Sequence, residues 1–402
     1  MNVARLPRLA LAAAFATSCA APAPPPAAAP ARVRTGVPPE KNPFLHAVGR
    51  DLVDGQGRKV VLRGICFGND VWSNPKTPVV NHHGEGEYRF IRGLGMNAVR
   101  FYLNDAVFQD DAHPMAWKAS GFDWLDRNLA WARANGIVLI LNLHVPPGGF
   151  QSNGGGGALW REPENQRRFV ALWREIARRY RDEPALAGYD LLNEPVVKGR
   201  PEQWEELARE TAAAIREEDP SHALFVERLN AVMSHGAAPD WNENRNGRMN
   251  FFLLDDTNVV YEFHFYKPFA FTHQGAFWVP GLKDVRTTYP GPVREWGGPE
   301  QMADRAYIDR AMAPFLAFGR EHDVPLYLGE FGVVREGFAN GRNGTGWVRD
   351  VIEVARGAGV SLTYHAFHEW AFGLYRNDAN RPPAELNQPL ADVFASEFRQ
   401  GR

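Results

Sequence analysis

Two glutamates occupy equivalent places at distant points of the sequence. Glu194 closely follows the apolar run Ala185–Leu192 and precedes Pro195, while Glu330 ends a second apolar run. Short, continuously apolar runs are typical of parallel strands buried on both faces, and proline ends such a strand because it cannot donate to the ladder. Acids at the carboxyl ends of parallel strands lie where barrel enzymes hold their chemistry. Two opposed carboxylates suit hydrolysis of a glycosidic bond, in which one protonates the leaving oxygen and the other attacks or activates water.

Polar side chains at the ends of other predicted strands extend this pattern. The full set is Arg100, His144, Asn193, Glu194, Glu227, His264, Tyr266, Glu330 and Trp370. Any one of them could be a packing or ion-pair residue, but the carboxyl ends of barrel strands meet at one mouth, so we expect the set to converge. Glu227, Glu262 and Glu369 compete with Glu194 and Glu330 for the two acid roles, and the sequence pattern leaves that choice open.

Apolar strands and amphipathic helices alternate along the chain. The predicted strands are Val60–Cys66, Asn97–Tyr102, Ile137–His144, Ala187–Leu192, Ala223–Glu227, Val259–His264, Leu326–Gly329 and Ser361–His365. The predicted helices are Gly86–Leu94, Phe122–Asn135, Glu164–Arg181, Pro201–Glu218, Pro299–His322, Trp347–Ala358 and Leu390–Phe398. This alternation predicts an α/β fold, a single closed (β/α)8 TIM barrel with long βα loops. An open doubly wound sheet is the alternative, but no Gly-x-Gly-x-x-Gly follows an early strand.

Three stretches fall outside the alternation. Asn230–Thr257 is rich in Asn and Gly, and no fifth helix can be predicted in it. Tyr266–Glu300 is an unusually long connection after the sixth strand, and long loops in compact domains are often functional. Ahead of the barrel, Gly49–Gly57 predicts a small hairpin that turns at Asp54-Gly55.

The N-terminal residues predict export. Residues 1–19 combine two arginines, an apolar stretch too short to span a bilayer, and small residues, as in a secretion signal. The end of this stretch resembles a bacterial lipoprotein cleavage box, with Cys19 as the lipidated residue; an ordinary signal with a coincidental cysteine is the alternative. Residues 20–43, rich in Ala and Pro, predict an extended tether, and residues 44–402 the barrel. We expect a lipoprotein on the outer or cell-surface membrane, or a secreted or periplasmic protein.

The charge balance excludes some partners. Of 402 residues, 45 are basic and 47 acidic, so nothing indicates binding to nucleic acid or to an acidic membrane surface. We expect a monomer.

The ordered series Arg100, His144, Asn193-Glu194-Pro195, His264-x-Tyr266, Glu330 and Trp370 resembles glycoside hydrolase family 5. The match runs from about Leu62 to Tyr375. The segment Pro268–Ala276, with Trp278 after it, is also similar to endoglucanase-like members. The resemblance implies a barrel glycosidase with its catalytic acids on strands four and seven, no cofactor and no metal, acting on a polysaccharide or oligosaccharide.

The resemblance also implies roles for the catalytic pair. Glu194 would be the general acid/base, with its pKa raised by its surroundings, and Glu330 the nucleophile that forms a glycosyl ester. Arg100 would keep Glu330 ionised, and Tyr266 would donate a hydrogen bond to it.

The remaining residues would bind the sugar. Asn193 would hydrogen-bond the 2-hydroxyl, His144 and His264 would line the sugar subsite, and Trp370 would lie under the sugar at the point of cleavage. A β-glucan is the expected substrate. A β-mannanase or β-1,3-glucan hydrolase is the alternative within the class, since these residues do not encode the sugar. A metal-dependent hydrolase and a non-catalytic glycan-binding surface protein are the alternatives outside it.

Overall fold

The computed structural model describes residues 37–80, 82–234, 238–376 and 385–399. The predicted export signal, residues 1–19 with Cys19, lies outside the described residues, as do residues 20–36 of the predicted tether. Within the described ranges, no helix is both long enough and apolar enough to cross a membrane.

Eight parallel strands close into a barrel, which confirms the predicted (β/α)8 fold. They are β1 Arg63–Phe67, β2 Ala98–Asn104, β3 Val138–Val145, β4 Leu186–Asp190, β5 Ala223–Glu227, β6 Val259–His264, β7 Leu326–Phe331 and β8 Ser361–Tyr364. Each strand pairs in parallel with its neighbours in sequence, and β8 closes the barrel on β1. All eight carboxyl ends therefore meet at one mouth.

Amphipathic helices cover the outside of the barrel. They are α1 Glu85–Gly93, α2 Ala119–Ala134, α3 Pro163–Tyr180, α4 Glu202–Glu218, α5 Arg305–His322, α6 Gly344–Gly357 and α7 Gln388–Arg399. Short helices lie in the loops at Asp105–Phe108, Ala158–Arg161 and Phe269–Thr272. On α3, Phe169, Leu172, Trp173 and Ile176 are spaced at three- and four-residue intervals and are all fully buried, which fixes the face that packs on the strands.

Period-two alternation along the strands carries polar groups to the mouth. On β2, Val99 and Phe101 pack in the large apolar layer between strands and helices, whereas Ala98 packs inside the barrel with residues of other strands. Arg100 and Tyr102 follow Ala98 on this inner face, because successive side chains of a strand point to opposite sides. The interior is therefore apolar at the amino ends of the strands and polar at the carboxyl ends.

Two predicted elements begin with residues that belong to other sheets. Val60 belongs to a three-stranded antiparallel sheet of His46–Val48, Asp51–Val53 and Lys59–Val60, so the first barrel strand starts later, at Arg63. This small sheet contains the predicted hairpin. The predicted helix Pro299–His322 starts only at Arg305, because Asp304 caps it by accepting a hydrogen bond from the Tyr307 N–H. Residues Glu300–Ala303 pair instead with Gly291–Arg294 as an antiparallel hairpin.

The span without a predicted helix contains a short strand. Ala231–Met233 pairs in parallel with Val196–Lys198, beside the loop that carries Glu194. Within the part of Asn230–Thr257 that the structure describes, no helix is present.

Residues ahead of the predicted boundary at residue 44 also contact the barrel. The Val37 N–H donates to the Pro220 carbonyl oxygen at 3.2 Å, and the Asn42 side-chain amide donates to the Ser221 carbonyl oxygen at 2.7 Å. Asn42 is buried. Residues 37–43 of the predicted tether therefore contact the barrel, because Asn42 supplies a polar side chain that a pure Ala/Pro tether would lack.

Candidate active site

Glu330 is surrounded by hydrogen-bond donors. It lies one residue before the end of β7, and its Oε1 accepts from Arg100 Nη1 at 2.6 Å and from the Tyr102 hydroxyl at 2.6 Å. Its Oε2 accepts from the Tyr266 hydroxyl at 2.8 Å. Burial alone would raise the pKa of Glu330, but His264, His365 and Arg100 outweigh it and hold that pKa well below its usual range. Glu330 is therefore an ionised, fixed carboxylate.

Arg100 anchors the floor of the site. Its fully buried guanidinium also donates to Asp190 Oδ2 at 2.7 Å and to Asn193 Oδ1 at 3.1 Å, and it lies 3.0 Å from Glu262 Oε1. Gly329 makes this arrangement possible, since a Cβ there would lie 1.7 Å from Glu262 Oε1. A planar guanidinium bound on several sides cannot rotate freely, so Arg100 fixes the position of Glu330 as well as its charge.

Glu194 stands in a different environment. It lies four residues beyond the end of β4, in the left-handed backbone region with φ of +43°. Its N–H donates to Glu227 Oε2 at 2.6 Å, and its Oε1 lies 3.0 Å from His264 Nδ1. Its side chain is more exposed than that of Glu330. The two glutamates therefore stand in different environments, since Glu330 is held by three donors and Glu194 is more open to solvent.

The two carboxylates approach one another across the mouth. Glu194, His264 and Glu330 each place one oxygen or nitrogen within 4.8 Å of the others. Burial alone would lower the pKa of His264, but Glu227 and Glu330 raise that pKa well above its usual value. A protonated His264 between the carboxylates offsets part of their repulsion.

These groups could also in principle hold a cation. Besides Glu194–His264–Glu330, the residues Glu227, Glu262 and His264 bring their donor atoms within 4.8 Å of one another. The positive charge of Arg100, bonded to Glu330 and Glu262, opposes such binding. The expectation of a metal-free site stays a prediction.

His144 and Asn193 line the same mouth. His144 stacks on the Tyr102 ring, with centroids 3.9 Å apart, and burial lowers its pKa well below the usual value, so the imidazole is neutral. Asn193 accepts from Arg100 through Oδ1 and donates to Ser152 Oγ through Nδ2 at 3.0 Å. Both side chains are buried, and their orientation is fixed by these contacts.

The place of Trp370 under the sugar stays a prediction. Trp370 lies in an exposed aromatic patch, formed by Phe277, Trp278 and Trp370, whose ring centroids are 5.2–6.2 Å apart. The ring beside Glu330 is His365, with Nδ1 3.9 Å from Glu330 Oε2. The reason is the chain position: β8 ends at Tyr364, so His365 sits at the strand end while Trp370 lies five residues further along the loop.

Tyr102 and His365 are therefore site residues that the sequence analysis missed. The His365 ring also reaches Tyr102, with Nδ1 3.0 Å from the hydroxyl, and Glu369, with Nε2 3.1 Å from the carboxylate. Signals for both were present. Tyr102 is two residues after Arg100 on the same strand face, and His365 ends the last predicted strand.

Comparison with known proteins places this geometry in a family. Residues 53–369 match the model of the family described as cellulase (glycosyl hydrolase family 5), over more than half of the chain. Endoglucanase C of Acetivibrio thermocellus is 28% identical over 330 residues, which cover 77% of this chain and 90% of that protein. Cellodextrinase A of Ruminococcus flavefaciens is 25% identical over 315 residues, which cover 77% and 86% respectively.

A solved relative has the same architecture. Cel5A of Thermotoga maritima, solved in complex with mannotriose and also with cellobiose, is 25% identical, with TM-scores of 0.64 and 0.63. Each alignment covers 83% of this chain and 97% of that one. From the family match and the barrel, this chain belongs to glycosyl hydrolase family 5 and is a glycoside hydrolase.

Proposed function

We propose that this protein is a retaining endo-β-1,4-glucanase in which Glu330 is the nucleophile and Glu194 the general acid/base. The observation that carries the proposal is the short distance between the two carboxylates: one oxygen of Glu194 lies within 4.8 Å of one oxygen of Glu330. Retaining glycosidases hold their carboxyl groups roughly 5–5.5 Å apart, whereas inverting enzymes need roughly 6.5–9.5 Å to admit a water molecule.

In the first step, an ionised Glu330 oxygen attacks the anomeric carbon. The bond from that carbon to the glycosidic oxygen breaks, and Glu194 gives its proton to the departing oxygen. The product is a glycosyl ester on Glu330. The hydrogen bonds from Arg100, Tyr102 and Tyr266 favour this assignment, because they stabilise the carboxylate form of Glu330 before attack.

In the second step, water displaces Glu330 from the anomeric carbon of the glycosyl ester. Glu194, now ionised, takes a proton from a water molecule while the oxygen of that water bonds to the anomeric carbon. The ester bond breaks, and Glu330 leaves as a carboxylate. Two successive inversions retain the configuration. His264, bonded to Glu194 Oε1, can stabilise the ionised form that Glu194 takes between the two steps.

The other residues of the mouth would bind the sugar ring. Asn193 would contact the 2-hydroxyl through the amide N–H that Ser152 does not use, since its Oδ1 is bound by Arg100. Neutral His144 would offer an imidazole to neighbouring hydroxyls. His365, beside Glu330, would also line the cleavage point.

The aromatic patch would bind sugar units of the polysaccharide that lie farther from the cleavage point. Phe277 is 70% exposed, and Trp278 and Trp370 are each 43% exposed, which is unusual for such large rings. Flat apolar rings suit the apolar faces of pyranose sugars, and Trp72, which packs edge-on against His144 and His365, offers another ring near the catalytic pair. A site of this extent fits a polymer better than a disaccharide.

The similar endoglucanases support a β-1,4-glucan as substrate, and the mannotriose complex of Cel5A makes mannan the first competitor to exclude. The test is incubation with carboxymethylcellulose, lichenan, glucomannan and xylan, with product sizing and NMR of the first anomer released. We expect early mid-chain products from carboxymethylcellulose, with the β-anomer formed first. Initial release of the α-anomer, or cleavage of glucomannan or xylan but not of carboxymethylcellulose, would contradict the proposal.

A further inference from the structure

Glu227 is a buried glutamate for which the two-step mechanism above has no use. It is the last residue of β5 and is only 2% exposed. Its Oε2 accepts the backbone N–H of Glu194 at 2.6 Å, and its Oε1 lies 3.7 Å from His264 Nδ1. Its own backbone is held as well, because the Trp204 indole N–H donates to the Glu227 carbonyl oxygen at 2.8 Å. Glu227 is thus a fixed acceptor directed at the residue that must move the proton.

Glu194 needs such a contact because its backbone adopts the left-handed conformation, which is uncommon for residues other than glycine. With φ of +43°, its conformation persists only if the surroundings hold it. The residue after it is held on the other side, where the Pro195 carbonyl oxygen accepts from the Asn230 N–H at 2.9 Å. The Glu227 contact therefore completes a clamp on the peptide that sets the direction of the Glu194 side chain.

His264 connects Glu227 to the Glu194 carboxylate as well. Its Nδ1 contacts Glu194 Oε1 at 3.0 Å, while its Nε2 lies 3.3 Å from Glu262 Oε1. Glu227 stands beside that imidazole, so it borders both the backbone and the side-chain support of Glu194.

We propose that Glu227 is a positioning residue for proton transfer, which aims the carboxyl group of Glu194 at the leaving oxygen through the Glu194 N–H. This inference rests on the proposed role of Glu194 as acid/base. Glu227 itself does not touch the reacting atoms.

The contact that Glu227 Oε2 makes with the Glu194 N–H supports a test by a conservative substitution. Burial raises the pKa of Glu227 well above its usual value, with Glu262 and Glu194 adding to the shift and His264 opposing it. The contact needs only an accepting oxygen in either protonation state, and the side-chain oxygen of a glutamine can accept the same bond. Alanine removes the acceptor and leaves the Glu194 N–H without a partner.

The experiment compares kcat/KM on two substrates that differ in their need for a proton on the leaving group. Cellotetraose has a poor leaving group, and 2,4-dinitrophenyl β-cellobioside has one that departs without protonation. Glu227→Ala is expected to lower kcat/KM on cellotetraose by about 10²-fold, the scale of a catalytic group misplaced by about 1 Å, with a much smaller loss on the aryl substrate. Glu227→Gln is expected to restore most of the cellotetraose activity.

Matched variants separate this role from general destabilisation. Glu397→Ala removes another buried glutamate, which pairs with Arg349 and Arg356 on the outside of the barrel, and should leave both kcat/KM values unchanged. If Glu227→Ala does not fold, Glu227→Asp takes its place, because its shorter side chain keeps the acid but cannot reach the Glu194 N–H.

Equal losses on both substrates, or no loss on either, would overturn the inference. So would a glutamine variant as defective as the alanine or aspartate variant. Glu194→Ala in the same assay distinguishes the two proposals. If that variant shows the leaving-group dependence and Glu227→Ala does not, only the positioning role fails; if Glu194→Ala does not show it, the acid/base assignment fails and the positioning role with it.

Discussion

At the scale of residues, the site depends on the different hydrogen-bond environments of Glu194 and Glu330. Glu330 is held ionised by three donors, two on β2 and one in the connection after β6, whereas Glu194 is held through its backbone and one histidine. The sequence was sufficient to predict that Glu194, Glu330, Arg100 and Tyr266 would converge, because each lies at or near the end of an apolar strand. The surroundings of Trp370 could not be predicted, because a loop residue has no strand register to fix its position.

His365 gives a prediction about pH. The pKa of Glu330 is lowered, so its carboxylate persists to pH values well below its usual titration range and is lost only as the pH falls through that lowered pKa. Burial alone would lower the pKa of His365, but Glu330 and Glu369 raise it well above its usual value, so His365 is charged. His365→Gln removes that charge and should move the acid limb of the kcat/KM profile to higher pH.

The control for this measurement is His113→Gln, which changes an exposed histidine in a surface loop. Its acid limb should coincide with that of the wild type. An unchanged acid limb in His365→Gln would show that His365 does not set the ionisation of Glu330.

At the scale of elements, two connections build the aromatic patch. Phe277 and Trp278 come from the long connection after β6, and Trp370 comes from the loop after β8. The guanidinium of Arg335, which follows β7, lies 5.5 Å from the centre of the Trp370 ring. The length of the first connection was visible in the sequence and indicated function. That its rings would meet Trp370 was not predictable, because the meeting depends on how two loops pack.

Truncating the patch should separate polymers from small substrates. Trp278→Ala and Trp370→Ala should each lower kcat/KM on carboxymethylcellulose by about 2- to 10-fold, the scale of one aromatic contact, with little change on 2,4-dinitrophenyl β-cellobioside. Trp131→Ala, which removes a half-buried indole from α2, is the control and should spare both activities. Equal losses on both substrates would indicate that the patch supports the fold and not the polymer.

At the scale of the whole molecule, the barrel was predictable because its rule is repetitive. Strands of continuous apolar residues alternate with amphipathic helices, and only one common architecture uses eight such repeats. Boundaries at Val60 and Pro299 were wrong where a local antiparallel hairpin competed with the repeat. Each hairpin forms because two stretches pair with one another, and the hydrophobic pattern of one stretch alone does not show which partner it pairs with.

We also propose that the protein is exported and lipidated at Cys19, which the N-terminal sequence supports. Cys19→Ala should then move the processed enzyme from the membrane fraction to the soluble fraction, because the thioether-linked lipid cannot form, while the specific activity stays the same. Cell fractionation with an activity assay measures this. A variant that stays equally membrane-bound would contradict the anchor but not export by an ordinary signal.

The most direct test of the central claim is azide rescue of the two glutamate variants. Glu194→Ala should lose about 10²–10⁴-fold on cellotetraose, the scale of general acid–base catalysis, and much less in kcat/KM on 2,4-dinitrophenyl β-cellobioside. Azide should then raise its turnover of the aryl substrate and give the β-glycosyl azide, since the ester on Glu330 lacks only a base for its attacking water. Glu330→Ala should be nearly inactive on both substrates and could give only the α-azide, because no ester can form. Like responses of the two variants, or exchanged azide products, would contradict the assignment of acid and nucleophile.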